Sequence, residues 1–424
     1  MRATTAFNKM LTIPGADVAG VGFTPTGIVV ALRRRARRLR CPCGWSTRAV
    51  YDHSTRRWRH LDLGASRLYL QAEIRRLACR ACGRVRTETV PWARPGARFT
   101  RDFEDVVAYL AQRTDKTTIT RLLRCSWEAV AAIVVRVVAA HIDDARLDGL
   151  YHIGVDEVSY RKGHRYLTQR GPWSPITTAT ARWSGSGRAS PATLEAFFAG
   201  LGPERAARLQ AASMDLHGAH AKVTATHAPQ ARVCADPFHV VKLANHAVDQ
   251  VRRVEGNTAR HAGGILRRPS GRIRTNPAAD LIKHTRWALL KDPGRLTATQ
   301  HQLLDRLRRA RHVLFRAWAL KEELRDLYRL PTGRHADAHL DAWLARACRS
   351  RIPAMVALSK TIRAHHQQIL AAVELGLSNS KLEGLNSKIR LINHRGYGHH
   401  TAAAVIAMIY LCCSGLTITL PTGR

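Results

Sequence analysis

The chain has 424 residues, 45% of them hydrophobic, and its 68 Lys and Arg against 31 Asp and Glu leave a formal net charge of +37. Such a length exceeds one ordinary domain and supplies enough apolar side chains for several packed cores. A charge this large makes a compact fold repel itself unless a polyanion neutralises it, so nucleic acid is the expected partner and a membrane is not: the longest apolar runs, such as "AAAVIAMIYLCC" at 402–413, are too short to span a bilayer.

The N-terminus lacks the cationic start and apolar block of an export signal, which points to a cytoplasmic, nucleoid-associated protein. Nine cysteines, with Cys125, Cys234 and Cys348 standing singly, argue against a disulfide framework. Residues 28–40, "IVVALRRRARRLR", read as a strand running into a basic stretch. Next come "CPCG" (41–44) and "CRACG" (79–83), with the alternating strand "RLYLQAEIRR" between them. Two cysteine knuckles joined by strands predict a zinc ribbon, with Cys41, Cys43, Cys79 and Cys82 holding a structural Zn²⁺. The first pair is one residue short of C-x-x-C, so His53 and His60 stand as substitutes for Cys41 or Cys43.

Between 100 and 141 three helical segments follow in series: "RDFEDVVAYLAQR", "KTTITRLLR" and "SWEAVAAIVVRVVAAH". A short turn at Arg124 and Cys125, with Ser126 placed to cap the third segment, has the rhythm of a helix-turn-helix whose final helix enters the major groove. Lys116, Thr117, Thr118, Arg121, Ser126 and Trp127 are the candidate DNA contacts.

From residue 150 the texture changes. "YHIGVDEVSY" is a β-branched strand carrying Asp156; "RLQAASMD" ends at Asp215; "ARVCADPFHVV" is a strand ending at Asp236, with Pro237 at a helix start. Residues 237–370 read as nearly continuous helix, with "TRWALLKDP" and "LFRAWALKEELRDLYRL" as its clearest parts. No G-x-x-x-x-G-K-[ST] loop occurs, which argues against an ATP-driven motor. In "SNSKLEGLNSKIR" (378–390), Ser380 and Glu383 have capping-box spacing. The same helix aligns Asn379, Glu383, Asn386 and Arg390 as a polar stripe beside the apolar Leu382, Leu385, Ile389 and Ile392.

Phosphodiester chemistry needs an in-line oxygen nucleophile and charge relief on the leaving oxygen, which two divalent metals about 3.5–4 Å apart supply. Hard cations take carboxylates, and Asp156, Asp215 and Glu383 form one candidate set drawn from distant parts of the chain. Each also has an ordinary structural explanation, as a strand acid, a helix cap or a capping-box partner, and Asp236 before Pro237 is a better cap than Asp215.

Taken in order, "CPCG…CRACG", "KTTITRLLRCSWEAV", "GVDEVSYRKGHRYLT", "MDLHGAH", "DPFHVVKLANHAVDQVRR", "TRWALLKDP" and "SNSKLEGLNSKIRLINHRGYGH" resemble the ISL-three family of bacterial insertion-sequence transposases over nearly the whole chain. The resemblance implies a multidomain α/β protein: a zinc ribbon in 1–98, a helix-turn-helix in 99–148, and a ribonuclease-H-like core of DDE type in 149–240 and 373–424, interrupted by an all-α insertion at 241–372. It matches Asp156 to the first acid and Glu383 to the last, with two Mg²⁺ or Mn²⁺ ions. The second acid is Asp215 or Asp236; Asp215 is preferred because Asp236 to His239 matches a separate [C/D]-x-x-H motif, an accessory pair. Lys388 and Arg390 would hold DNA phosphates near Glu383.

The implied function is binding of the element's terminal inverted repeats, cleavage to a 3′-hydroxyl, and attack of that hydroxyl on target DNA, by a homodimer or larger assembly on double-stranded DNA. The alternatives are a catalytically impaired binder of element ends and a metal-dependent nuclease. One stretch departs from the family pattern. Where the rest of a second strand and a third are implied, "QRGPWSPITTATARWSGSGRAS" (169–190) is broken by Pro172, Pro175 and three glycines, and only "ITTATARW" has strand character. A local frameshift in the gene is the hypothesis this raises, tested by translating the neighbouring frames for alternating apolar strands.

Overall fold

The computed structural model describes residues 2–161, 165–172, 191–216, 218–262, 281–282, 284–310, 312–330, 333–378, 380–396 and 401–423. They divide into two units, Met1–Arg146 with Lys388–Arg424, and Leu147–Ser387.

The first unit opens with helix α1 (Ala3–Leu11) and the antiparallel hairpin of β1 (Ala16–Thr24) and β2 (Gly27–Arg34). A two-stranded ribbon, β3 (Leu39–Arg40) with β4 (Ser46–Thr47), carries the first cysteine pair. The long strands β5 (Asp52–Leu63) and β6 (Ser66–Ala78) pair antiparallel, β2 lies parallel to β6, and β7 (Val85–Thr87) returns along the end of β6. Period-two alternation drives this arrangement: Leu68, Leu70, Ala72 and Ile74 of β6, with Val30 and Leu32 of β2, bury one face against Phe7, Trp58 and Trp92. The two tryptophan rings meet edge to face at 5.8 Å.

Three helices follow, α2 (Arg101–Ala111), α3 (Lys116–Leu123) and α4 (Trp127–His141), each started by a side-chain cap. Thr100 accepts from the Phe103 amide at 3.3 Å, Asp115 from Thr118 at 2.9 Å and Ser126 from Ala129 at 3.2 Å. Arg124, with φ of 50°, ends α3 in the left-handed region, so the turn falls where the sequence placed it. Val130, Ile133, Val134, Val137 and Val138 bury the helical stripe of α4 against α2 and against the C-terminal helix Ala402–Cys413. Gln112 fastens that helix by donating its Nε2 to the carbonyls of Leu411 (2.8 Å) and Leu416 (2.9 Å). The run "AAAVIAMIYLCC" is therefore core helix, as read from its length. Residues from Lys388 onward group with this unit.

The second unit is built on a four-stranded sheet in the order β11-β10-β8-β9, formed by β8 (His152–Arg161), β9 (Arg165–Pro172), β10 (Ala211–Met214) and β11 (Arg232–Ala235). β8, β10 and β11 run parallel and β9 runs antiparallel to β8. Helices α5 (Pro191–Leu201), α6 (Pro203–Ala206) and α7 (Gly218–His227) lie between the strands in sequence, and Leu194, Phe197, Phe198 and Val223 pack on Ile153, Val155, Ala212 and Met214. "QRGP" belongs to β9, whose pairing with β8 extends to Pro172 opposite Ile153. The expectation that only "ITTATARW" keeps strand character is corrected to that extent: β9 is an edge strand of the sheet among the described residues, where a proline is tolerated. "ITTATARW" itself lies outside the described residues.

A helical block completes the unit: α8 (Pro237–Ala262), α9 (Arg286–Leu290), α10 (Ala298–Arg309), α11 (Val313–Asp326), α12 (Gly333–Arg349), α13 (Pro353–Ala364) and α14 (His366–Glu374). It is not nearly continuous, as the sequence suggested, because local stops divide it: a capping box at Thr297 and Gln300, a His312 cap, and Pro353 at a helix start. Val240, Val248, Leu324, Leu340, Trp343 and Met355 share one core, inside which Trp343 donates its ring N–H to the Leu320 carbonyl at 2.7 Å. Ala371 and Ala372 of α14 pack with Ala211 and Cys234 of the sheet. The next helix, α15 (Ser380–Arg395), crosses the division between the units at residue 388, and the C-terminal helix is α16.

Candidate functional site

Strand register determines where the acids stand. β10 pairs with β8 through Ser213 opposite Gly154, and with β11 through Met214 opposite Ala235. Continuing those registers puts Asp215 level with Asp156 on one side and Asp236 on the other, and the Asp236 amide donates to the Met214 carbonyl at 2.8 Å. Three acids thus stand in one row across the carboxyl-end side of three parallel strands, where open α/β sheets bind ligands. Asp156 lies within β8, opposite Gln169 of β9.

The two flanking acids differ in what their carboxylates do. Asp236 is 2% exposed. Its Oδ1 accepts from the Phe238 amide at 3.3 Å and its Oδ2 lies 2.9 Å from His239 Nδ1, so it caps α8 and orients the imidazole. Burial, and after it the Asp236 charge, push the Tyr328 hydroxyl pKa far up and keep that group neutral. Asp215 is half-buried and makes no hydrogen bond or ion pair among the described residues.

Glu383 sits in the first turn of α15. The carboxylates of Asp156 and Glu383 lie outside the described residues; the strand registers align the backbone of Asp156, Asp215 and Asp236. The capping box expected of Ser380 and Glu383 rests on side chains that lie outside the described residues. Asn386 is buried, which removes it from the expected polar stripe, whereas Lys388 and Arg390 are exposed.

The cysteine cluster is fully assembled. Cys41, Cys43, Cys79 and Cys82 place their sulfurs within 4.8 Å of one another, with Cys41 to Cys82 at 3.8 Å and Cys43 to Cys79 at 3.5 Å. A tetrahedral zinc with Zn–S bonds of about 2.3 Å requires S···S edges of about 3.8 Å, so the donor set fits Zn²⁺. The shortened first pair still forms a knuckle: Gly44, at φ of 93°, donates its amide to the Cys41 carbonyl at 3.0 Å, as Gly83 does to Cys79 at 2.9 Å. A backbone hydrogen bond involving Cys43 draws the Cys41 thiol down, but burial and the neighbouring sulfurs push it up to about 12; a backbone bond at Trp45 and the Cys41 and Cys79 sulfurs draw Cys43 down. The histidine substitutes fall away, because His60 is buried against Thr100 at 2.8 Å and His53 faces Glu73. Trp45 packs on Leu39, Cys41, Leu77 and Cys79 and completes this small core; an aromatic two residues past the second cysteine is the sequence signal for it.

In the helix-turn-helix, Arg121 and Ser126 are exposed and Thr117 and Trp127 half-exposed. Two candidate DNA contacts are engaged within the protein. Lys116 is buried with its ammonium 5.5 Å from the Trp127 ring centroid, and burial lowers its pKa. The Thr118 hydroxyl donates to Asp115 at 2.6 Å, which spends it on the cap of α3. The Ser126 hydroxyl accepts from the Ala129 amide.

A zinc ribbon, a helix-turn-helix and a mixed α/β unit with acids at its strand ends define a DNA-acting protein of the transposase class. Comparison with known families agrees along the chain: residues 37–82 match the zinc-finger of transposase IS204/IS1001/IS1096/IS1165, 88–138 the helix-turn-helix domain of transposase family ISL3, and 153–409 the transposase domain of that family. The chain is 38% identical over 428 residues to the transposase for insertion sequence element IS1557 of Mycobacterium tuberculosis (strain ATCC 25618 / H37Rv), covering 96% of this chain and 92% of that protein. It is 29% identical over 372 residues to the transposase for insertion sequence element IS1001 of Bordetella parapertussis, covering 87% of each. The chain belongs to transposase family ISL3, and its function is DNA transposition. No helix among the described residues is long and apolar enough to cross a membrane.

Proposed function

We propose that the protein binds the terminal inverted repeats of its insertion sequence as a dimer or larger assembly and carries out metal-dependent cleavage and strand transfer at one acidic site. Asp156, Asp215 and Glu383 are the acids of that site. The observation that carries this reading is the parallel β8–β10 register, Ser213 opposite Gly154, which continued by two residues would set Asp215 level with Asp156. A sheet with three parallel strands, one antiparallel strand and an acid on β8 supports a ribonuclease-H-like core, and the block from α8 to α14 supports an all-α insertion within 241–372.

An all-carboxylate donor set suits Mg²⁺ or Mn²⁺ over softer ions. Such ions, when bound, supply charge relief on the leaving oxygen and activate the attacking one. The Asp215 carboxylate, without a partner among the described residues, can serve them, whereas that of Asp236 is committed to a helix cap and an imidazole. Asp236 and His239 therefore act as positioning residues beside the site, holding the start of α8 against the end of β11. Strand transfer reuses the same acids for attack by the released 3′-hydroxyl.

The test uses Asp156→Asn, Asp215→Asn and Glu383→Gln, assayed for binding and for Mn²⁺-dependent cutting of labelled element ends. Each variant is expected to bind and not cut; a variant that still cuts removes its residue from the site.

A further inference from the structure

We infer that the arginine collar of the cysteine ribbon, more than the helix-turn-helix, supplies the electrostatic hold of the first unit on duplex DNA; the inference rests on the transposase reading above. Charge separates the two segments. Residues 37–51 and 77–87, which carry the cysteines, contain seven arginines and no carboxylate, whereas 99–141 contain six cations and five carboxylates. Four thiolates on one Zn²⁺ carry a formal charge of roughly −2, which leaves the ribbon near about +5.

Availability separates them further. Arg37, Arg38, Arg40, Arg48, Arg80 and Arg84 are all exposed, and none forms an ion pair among the described residues. Arg38 donates to Ser46 Oγ at 2.9 Å, which leaves its other guanidinium nitrogens for a phosphate. The helix-turn-helix cations are largely spent within the protein. Arg124 is bonded to Asp62 at 2.8 Å and Arg136 to Glu104 at 2.9 Å. Arg113 lies over the Tyr109 ring at 3.6 Å, and Lys116 is buried. Arg121 is the exposed cation of that segment with neither an ion pair nor a ring contact among the described residues. The solvent side of α4 shows Glu128, Ala132, Val135 and Ala139, none of them cationic.

Guanidinium groups without internal carboxylates bind phosphate at no cost in broken ion pairs, and each phosphate they neutralise releases counterions. The zinc cluster makes the collar possible, because the core beneath it is small, built on Leu39, Cys41, Leu77 and Cys79 with Trp45. The ribbon thus grips the backbone, and the segment around Arg121 is left to position the protein on sequence.

The test is the salt dependence of duplex binding by the zinc-loaded full chain, on element-end DNA and on an unrelated duplex. Glutamine at Arg37, Arg40, Arg80 and Arg84 together is expected to lower the slope of log K against log salt by roughly 2 to 4, at about 0.9 per phosphate lost. Arg121→Gln is expected to lower it by about 1 at most. Lysine at the same four positions should retain the wild-type slope, with zinc content unchanged in both sets. A glutamine set with the wild-type slope, or a lysine set that loses it, overturns the inference while leaving the transposase reading intact. A wild-type chain that binds neither duplex removes the reading beneath it.

Discussion

The buried carboxylate of Asp236 lies 2.9 Å from Nδ1 of His239, in the first turn of α8, while Asp215 on the adjacent strand end has no partner among the described residues. The same residue type therefore serves two purposes one strand apart. Asp236→Ala is expected to destabilise the second unit by about 1 kcal/mol or more through loss of a buried cap. Asp215→Asn should change stability by no more than about 0.5 kcal/mol and remove cleavage. Thermal unfolding and end-cleavage, measured on both variants, separate the roles; loss of stability at Asp215 together with normal cutting would reverse the assignment.

Chelation should act locally. The ribbon core is too small to hold β3, β4 and the two knuckles without metal. Removing zinc, or substituting Cys79→Ser, is expected to open Arg38, Arg40, Arg80 and Arg84 to trypsin while the helical block stays resistant. Peptide mapping of a limited digest checks this, and an unchanged digest would rule out a structural metal.

The cap of α4 is open to a milder test. Ser126→Ala removes the acceptor of the Ala129 amide and should cost about 1 kcal/mol. Ser126→Asp keeps the acceptor at the helix N-terminus and should restore most of that stability. Chemical denaturation of the three proteins reads the difference.

Much of this was legible in the sequence because the signals were local. The cysteine knuckles, the caps Ser126 and Asp236, the β-branched strand around Asp156 and the length of 402–413 each depend on neighbours within a few residues. What escaped depends on distant partners. Nothing near Lys116 announces its burial against Trp127, nor near Arg124 and Arg136 their pairing with Asp62 and Glu104. Pro172 and Gly171 argue against a strand by propensity, yet pairing with β8 holds them in one. The packing of 388–424 with the first unit rests on contacts between ends of the chain, such as Gln112 with Leu411.

Lys321 supplies a pH test of the helical block. It is almost fully buried, donates to the Leu289 carbonyl at 2.5 Å and pairs with Glu322. Burial, partly offset by Glu322, brings its pKa down from 10.5 to about 8. Between those values the unfolded chain binds more protons than the folded one, so this residue makes stability rise with pH across that window and contributes no slope below it. The full rise is roughly 3 kcal/mol. Lys321→Met should flatten the component, seen as the wild-type minus variant difference in unfolding free energy at pH 7.5 and pH 10; a difference independent of pH contradicts the burial argument.

The central claim is that Asp156 within β8, Asp215 at the end of β10 and Glu383 serve one site for both cutting and joining. Incubation of the purified protein with Mn²⁺, labelled element-end DNA and a target plasmid tests it most directly. Labelled ends joined to the plasmid, lost together in Asp156→Asn, Asp215→Asn and Glu383→Gln, are the predicted result. Element ends that are retarded in a gel yet neither cut nor joined by the wild-type protein would contradict it.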